Sequence, residues 1–315
     1  MAQPLVIVAG PTAVGKSDYA IELAKRINGE VISADSMQVY KGMDIGSAKI
    51  TEEEMQGIKH YLIDVLDPTD DFNVATFKEL SGKAIEEISA KGKIPIVAGG
   101  TGFYIQALLY DIDFSESIGE NPEYRDFLLK EYAEKGPDYL FDKLKEADPE
   151  TATIIHKNDE KRVVRALEFY HETGKPISLH NKEQYEKESK YNFAYFVLND
   201  VREKIYAKID ARVDIMVAKG LVDEVKLLKE KGLNVKDVSM QGLGYKEILM
   251  HLNGDISLDE AVYRIKRDSR HFAKRQITWF KRERDVIWLN KYDFDDDMDK
   301  VLEYSLTILK DKSII

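Results

Sequence analysis

The chain has 315 residues, with 46 Lys or Arg against 57 Asp or Glu for a formal net charge of −11, and contains no Cys. Disulfides and cysteine zinc sites are therefore excluded, and the six His show no H-E-x-x-H or similar ligand spacing. With 43% hydrophobic and 33% charged residues, the makeup is that of a soluble protein with one large core or two domains. The acidic balance argues against indiscriminate nucleic-acid binding, yet a local basic stripe on such a protein still binds RNA.

The first apolar run, Leu5 to Ala9, is too short for a membrane span and has no basic lead-in of a signal peptide, so a cytoplasmic location is expected. Gly10-Pro-Thr-Ala-Val-Gly15-Lys16-Ser17 follows it and fits the G-x-x-x-x-G-K-[ST] phosphate loop. Glycines there let backbone N–H groups turn inward, the next helix aims its positive end at the anion, Lys16 adds charge, and Ser17 can ligate magnesium. The apolar positions Ile21, Leu23, Ala24 and Ile27 supply that helix, which favours a phosphate loop over a bare glycine turn.

Further apolar runs at Glu30 to Ser33, Tyr61 to Val65 and Ile94 to Ala98 alternate with helical patterns such as Ala75 to Ala90. This β-α-β order predicts a parallel sheet covered on both faces. Asp35 stands just after the second run, where such sheets deliver residues to a ligand crevice, and a carboxylate there is either a general base or a turn residue. Val97-Ala98-Gly99-Gly100-Thr101-Gly102 is a second strand-to-helix turn, with Thr101 as either a phosphate partner or a helix cap. Its strand ends without an acidic residue, where an ATPase often holds a magnesium-binding Asp, which weakens the ATPase reading without excluding it, since Asp64 can substitute.

Charged helical segments, Tyr124 to Lys135, Asp138 to Glu146 and Asp159 to Glu172, then replace the alternation. The expected fold class is α/β, a P-loop NTPase-like parallel sheet core with an inserted all-helical domain. Residues 1–114 and 191–315 form the core and 115–190 the insertion. Phe193 to Leu198 reads as a strand returning to the sheet, helices follow at Lys204 to Lys219, Val222 to Lys231 and Asp259 to Lys281, and Val286 to Leu289 is the last strand.

The last of these helices carries an apolar stripe, Val262, Ile265, Phe272, Ile277 and Phe280, and a basic face. From Arg264 to Arg284 there are nine Lys or Arg against Asp268 and Glu283, a charge density suited to a phosphate backbone or to a solvated face. Arg162 and Arg165 extend such a track. Asp295-Asp296-Asp297-Met298-Asp299 satisfies D-D-x-x-D, but in a polar tail it reads as a solvated surface segment.

Together these segments closely resemble the tRNA dimethylallyltransferase family, the isopentenyl-type transferases, nearly end to end. The resemblance rests on Gly10 to Ser17, Asp35-Ser-Met-Gln-Val-Tyr-Lys-Gly-Met-Asp-Ile-Gly-Ser-Ala-Lys49, Gly99-Gly-Thr-Gly-Phe-Tyr104, Asn158-Asp-Glu-Lys-Arg162 with Arg165-Ala-Leu-Glu168, Gln241-Gly-Leu-Gly-Tyr-Lys-Glu247 and Ala273-Lys-Arg-Gln-Ile-Thr-Trp-Phe280. It departs at Met37, where many members have Arg, and at Ser47, where Thr is usual.

The resemblance implies transfer of a dimethylallyl group from dimethylallyl diphosphate to the exocyclic amine of an adenosine beside the tRNA anticodon. Gly10, Pro11, Thr12, Ala13, Val14, Gly15, Lys16 and Ser17 would hold the diphosphate, with magnesium near Ser17. Asp35 would take the amine's proton, while Lys16, Thr101 and Arg212 neutralise the departing anion. Asp35, Ser36, Met37, Gln38 and Thr101 would meet the flipped base, and Arg125, Asp159, Arg162, Arg165, Gln241, Gly244, Tyr245, Lys246, Lys274 and Arg275 the rest of the anticodon stem-loop. The expected partners are that stem-loop and the prenyl donor, with no membrane and the chain acting as a monomer. A P-loop small-molecule kinase, with residues 115–190 as lid and Arg125, Arg162 and Arg165 as phosphate clamps, is the rival from another class. A nucleotide-switched RNA-binding protein is a third reading, and it gives Asp35 and Thr101 no task.

Overall fold

The computed structural model describes residues 2–112 and 121–315. Its elements in chain order are β1 (Gln3–Ala9), α1 (Lys16–Ile27), β2 (Gly29–Ala34), α2 (Glu52–Met55), β3 (His60–Tyr61), α3 (Val74–Ala90), β4 (Ile94–Gly99) and α4 (Gly102–Leu109). Five helices follow: α5 (Pro122–Lys135), α6 (Pro137–Ala147), α7 (Pro149–Ile154), α8 (Glu160–Thr173) and α9 (Ile177–Glu186). The chain then returns through β5 (Tyr191–Asn199), α10 (Arg202–Ala218), α11 (Leu221–Glu230), α12 (Tyr245–Leu252), α13 (Leu258–Phe280), β6 (Val286–Asn290) and α14 (Met298–Asp311).

The chain divides into two compact units, the larger running to Leu109 and resuming at Lys190, the smaller spanning Tyr110–Ser189. The expected boundary at residues 114 and 115 lies outside the described residues.

In the larger unit a six-stranded sheet has the order β3-β2-β4-β1-β5-β6, with every pair parallel. Both alternating sets of β1 side chains are buried, which explains a run with no polar position. Val6 and Val8 pack with Ile96, Phe196 and Leu198 against Tyr19 and Leu23 of α1 and Leu302 and Leu309 of α14. Beneath this layer the Tyr19 hydroxyl donates to Ser305 Oγ at 2.5 Å. Tyr195 of β5, pointing the other way, meets the Phe280 ring of α13 edge-on.

Two expected elements differ. The strand at Tyr61 to Val65 shrinks to His60–Tyr61, because Leu62 and Asp64 adopt left-handed backbone (φ 61° and 53°) that no strand accommodates. The acidic run at Asp293 to Asp299 is exposed as expected but also starts a helix: Asp297 caps α14, accepting the N–H groups of Asp299 and Lys300.

The smaller unit is helical and packs Leu128, Leu140, Leu144, Val163, Val164 and Leu167 into its own core. Asn121, Asp148 and Asp159 cap its helices, and Pro122, Pro137 and Pro149 open three of them at a position where a missing N–H costs nothing. Buried Asp148 also receives the Ser178 N–H and hydroxyl, each at 2.8 Å, which ties α9 to the start of α7.

Candidate active site

Three turns leave the sheet at one level. Ala9 and Ala34 both lie in register with Gly99, so the loop after β1, the Asp35 turn after β2 and the Gly100-Thr101 turn after β4 emerge side by side at the strand carboxyl ends. The loop takes its shape from left-handed Ala13 (φ 64°) and Gly15 (φ 95°), the latter standing directly before α1. Ser17 is exposed in the first turn of that helix, and Lys16 Nζ donates to the Pro11 carbonyl at 2.9 Å.

Asp35 forms the turn that one of its two sequence readings expects. Its Oδ1 accepts the Met37 N–H at 2.8 Å, an Asx turn that shapes Asp35 to Gln38, while Oδ2 makes no hydrogen bond among the described residues. Lys16, Asp35 and Arg212 form one electrostatic group. Desolvation pulls the Lys16 amine down to about 8, Asp35 partly opposes this, and Arg212 reinforces it. Burial likewise lowers Arg212, on α10, against the attraction of Asp18, Asp35 and Glu54. Tyr104, whose hydroxyl is pushed up to about 12 by burial and by the charges of Tyr40 and Asp35, belongs to the same neighbourhood.

The glycines after β4 make room for side chains of α13. A methyl group at Gly100 would collide with the side-chain amide of Gln276, and one at Gly102 with the Trp279 ring. Both glycines therefore admit α13 to the site. Gln276 and Trp279 lie inside the Ala273 to Phe280 motif, but nothing in one sequence marks Gln276 as touching the phosphate loop. Lys291 is a second such residue: its Nζ donates to the Val14 carbonyl at 2.6 Å. Asp64, the substitute magnesium ligand, is instead held by Lys49 Nζ at 2.5 Å.

The Gln241 to Glu247 motif divides between surface and core. Gln241 and Lys246 are exposed, whereas Gly244 and Tyr245 are buried, so the tyrosyl side chain is withheld from a surface ligand. Its hydroxyl donates to Glu224 Oε1 at 2.8 Å. Glu224 in turn receives the N–H groups of Asp44, Ile45 and Gly46 at 2.9, 2.8 and 3.0 Å, fixing the segment that follows Tyr40. Met37 Cε rests over Gly242. Removing the carboxylate strands four donors, and Glu224→Ala is expected to cost about 2 to 3 kcal/mol in urea unfolding. A loss no larger than that of an exposed Glu→Ala on the same helix would contradict this assignment.

The basic face of α13 is mostly neutralised in its first half. Arg264 pairs with Glu260 (2.6 Å), Lys266 with Asp214 (2.6 Å), Arg267 with Asp268 (2.8 Å) and Arg270 with Asp210 (2.5 Å). Lys274, Arg275, Lys281 and Arg282 are exposed and form no salt bridge among the described residues. The charge open to a phosphate backbone thus concentrates at the end of α13 nearest Gln276. In the smaller unit, Arg125 lies 3.4 Å from Glu168, Arg165 faces the same carboxylate, and Asp159 caps α8 while pairing with Arg162 at 3.3 Å.

A parallel sheet with a phosphate loop on its first turn, a carboxylate on the second and a hydroxyl on the third defines a P-loop-type group-transfer protein. The family model described as IPP transferase matches residues 38–283, and the chain belongs to that family. It is 57% identical over 313 residues to a tRNA dimethylallyltransferase of Lachnoclostridium phytofermentans, covering 99% of each chain. A second, from Acetivibrio thermocellus, is 55% identical over 93% of each. Among solved structures, the tRNA isopentenylpyrophosphate transferase of Bacillus halodurans aligns with TM-score 0.74 at 42% identity over 99% of this chain and 98% of its own. A eukaryotic dimethylallyltransferase acting on tRNA aligns with TM-score 0.77 at 33% identity, covering 92% of this chain and 74% of that one. The matched span begins after the loop and Asp35, which the near full-length relatives cover. Among the described residues, no helix is long and apolar enough to cross a membrane.

Proposed function

We propose that this chain transfers a dimethylallyl group from dimethylallyl diphosphate to the exocyclic amine of an adenosine next to the tRNA anticodon, releasing diphosphate, and that it does so in the cytoplasm. The observation that carries this is the convergence of the phosphate loop, Asp35 and Thr101 at the strand carboxyl ends, in register at Ala9, Ala34 and Gly99. An anion held at the loop then has a base and a hydroxyl beside it.

The adenine amine is a weak nucleophile, since its lone pair is delocalised into the ring. As that nitrogen bonds to the first carbon of the donor, the carbon–oxygen bond to diphosphate breaks and the electron pair leaves with the diphosphate. Asp35 takes the proton of the amine through the oxygen that its turn leaves free. Lys16, Arg212, the Thr101 hydroxyl and the loop N–H groups stabilise the charge that accumulates on the leaving group. Arg212 stays cationic throughout, and burial strengthens its attraction by removing water.

Magnesium suits the donor set at the loop. The exposed Ser17 hydroxyl, a hard oxygen donor of the kind magnesium takes, would help hold the ion beside the diphosphate. When bound, it supplies further neutralisation of the leaving group. The exposed cations Lys274 and Arg275, with Gln241 and Lys246, would face the RNA, and the acceptor base would be flipped out to reach Asp35.

Nucleoside analysis of unmodified tRNA incubated with the protein, magnesium and dimethylallyl diphosphate tests the reading. A prenylated adenosine beside the anticodon is expected, and its absence from tRNA that binds the protein would refute it. Neutralising Lys274 and Arg275 together should weaken tRNA binding and lower the slope of log affinity against log salt by about 1 to 2. The same change at Arg264 and Lys266, whose charges are already paired, should leave the slope unaltered. Equal effects of the two pairs would contradict the division of the helix.

A further inference from the structure

Gln276 of α13 is 6% exposed, and its side-chain amide bridges two of the three turns that form the site. Oε1 accepts the Thr12 N–H of the phosphate loop at 2.8 Å, and Nε2 donates to the Gly100 carbonyl at 3.0 Å. The orientation of the amide is dictated by its partners, because a backbone N–H only donates and a carbonyl only accepts. The peptide between Gly100 and Thr101 is thereby held at both ends, since the Thr101 N–H reaches back to the Ala34 carbonyl at 3.4 Å. Ala34 is the residue before Asp35. One chain of hydrogen bonds thus runs from Thr12 through Gln276 and the Gly100-Thr101 peptide to Ala34, the neighbour of the candidate base. The absence of a Cβ at Gly100 makes the close approach of the amide possible.

We propose that Gln276 is a positioning residue for the transfer reaction: it sets the distance between the diphosphate loop and the Thr101 and Asp35 turns. This rests on the function proposed above. No other side chain among the described residues is hydrogen-bonded to both turns. Gln276 directly follows Lys274 and Arg275, so the element that would dock RNA also fixes the loop that would hold the leaving group.

The geometry has a consequence separable from stability. Gln276→Leu keeps the volume and removes both bonds, freeing the loop to drift relative to Thr101. A misplacement of about 1 Å at a reacting centre costs on the order of 10²-fold in rate. Gln276→Leu is therefore expected to lose about 10²-fold in kcat/KM for dimethylallyl diphosphate and to bind inorganic diphosphate with magnesium more weakly in calorimetry, with tRNA affinity little changed and the thermal midpoint only modestly lowered by the two backbone groups left unpaired. Gly100→Ala, which leaves Gln276 in place but drives a methyl group into its amide, should reproduce the same split.

Wild-type diphosphate affinity and turnover in both variants would overturn the proposal. So would a loss that appears wholly as weaker tRNA binding, or failure of both variants to fold, which would make the bridge a core contact. A wild-type protein that binds diphosphate but transfers no prenyl group, with variants that still lose diphosphate affinity, would sink the functional reading and leave the bridge standing.

Discussion

Asp35→Asn is expected to bind tRNA as the wild type does and to lose about 10²- to 10⁴-fold in kcat, the range typical of a general base. The turn explains why binding survives. Asp35 shapes its loop by accepting the Met37 N–H through Oδ1, and an Asn carbonyl oxygen accepts the same bond in the same place. What the substitution removes is basicity, since an amide takes no proton from an attacking amine. The three roles open to this carboxylate give different patterns. A turn residue loses nothing as Asn, a recognition residue loses affinity, and a base loses turnover alone. Filter binding beside single-turnover rates on one tRNA preparation separates them, and parallel losses of affinity and rate would assign Asp35 to recognition.

Lys16→Ala should reduce kcat by about 10² to 10³, as expected for loss of a group aimed at charge that develops in the transition state. The ionisation of Lys16 adds a pH signature. Desolvation brings the amine down to about 8, with Asp35 opposing and Arg212 assisting, so the cation is fully present at pH 6 and is lost as pH rises through 8. Only the cation attracts diphosphate. The profile of kcat/KM for the prenyl donor, which reports the free enzyme, should therefore fall on the alkaline side with a midpoint near 8. Lys16→Arg carries a charge that does not titrate in this range and should move the limb to higher pH. An alkaline limb unchanged by Lys16→Arg would assign the titration to another group.

Much of this site is legible in the sequence because its chemistry sits on local patterns. The loop is a contiguous motif between an apolar run and an amphipathic helix, and Asp35 and Thr101 each follow such a run, so parallel topology alone brings them together. The two-faced burial of β1 from Leu5 to Ala9 is legible in the unbroken apolar run there. What the sequence hides depends on partners far along the chain. Gln276 lies 264 residues from Thr12, and Lys291 lies 277 from Val14. Burial also reverses surface expectations: Tyr245 reads as an aromatic for RNA and is a buttress for Glu224. The basic helix shows the same limit, since its net charge is visible in the composition but the cancellation by Asp210 and Asp214 of α10 is not. Short-range backbone geometry accounts for the lost strand, where left-handed Leu62 and Asp64 defeat an apolar run that reads as extended.

The loop at Gly10 to Ser17 would serve a nucleoside triphosphate as readily as an allylic diphosphate, and its neighbours decide between them. At the end of β4 the chain offers Gly99-Gly100-Thr101 and the Gln276 amide, with no carboxylate of the kind an ATPase places there. A competition between donors tests this most directly: protein, magnesium and unmodified tRNA are mixed with prenyl-labelled dimethylallyl diphosphate and γ-phosphate-labelled ATP together. Prenyl label on an adenosine of the tRNA is expected, with diphosphate released in equal amount and no phosphate label on any acceptor. Phosphate transferred from ATP, with the tRNA free of prenyl label, would contradict it.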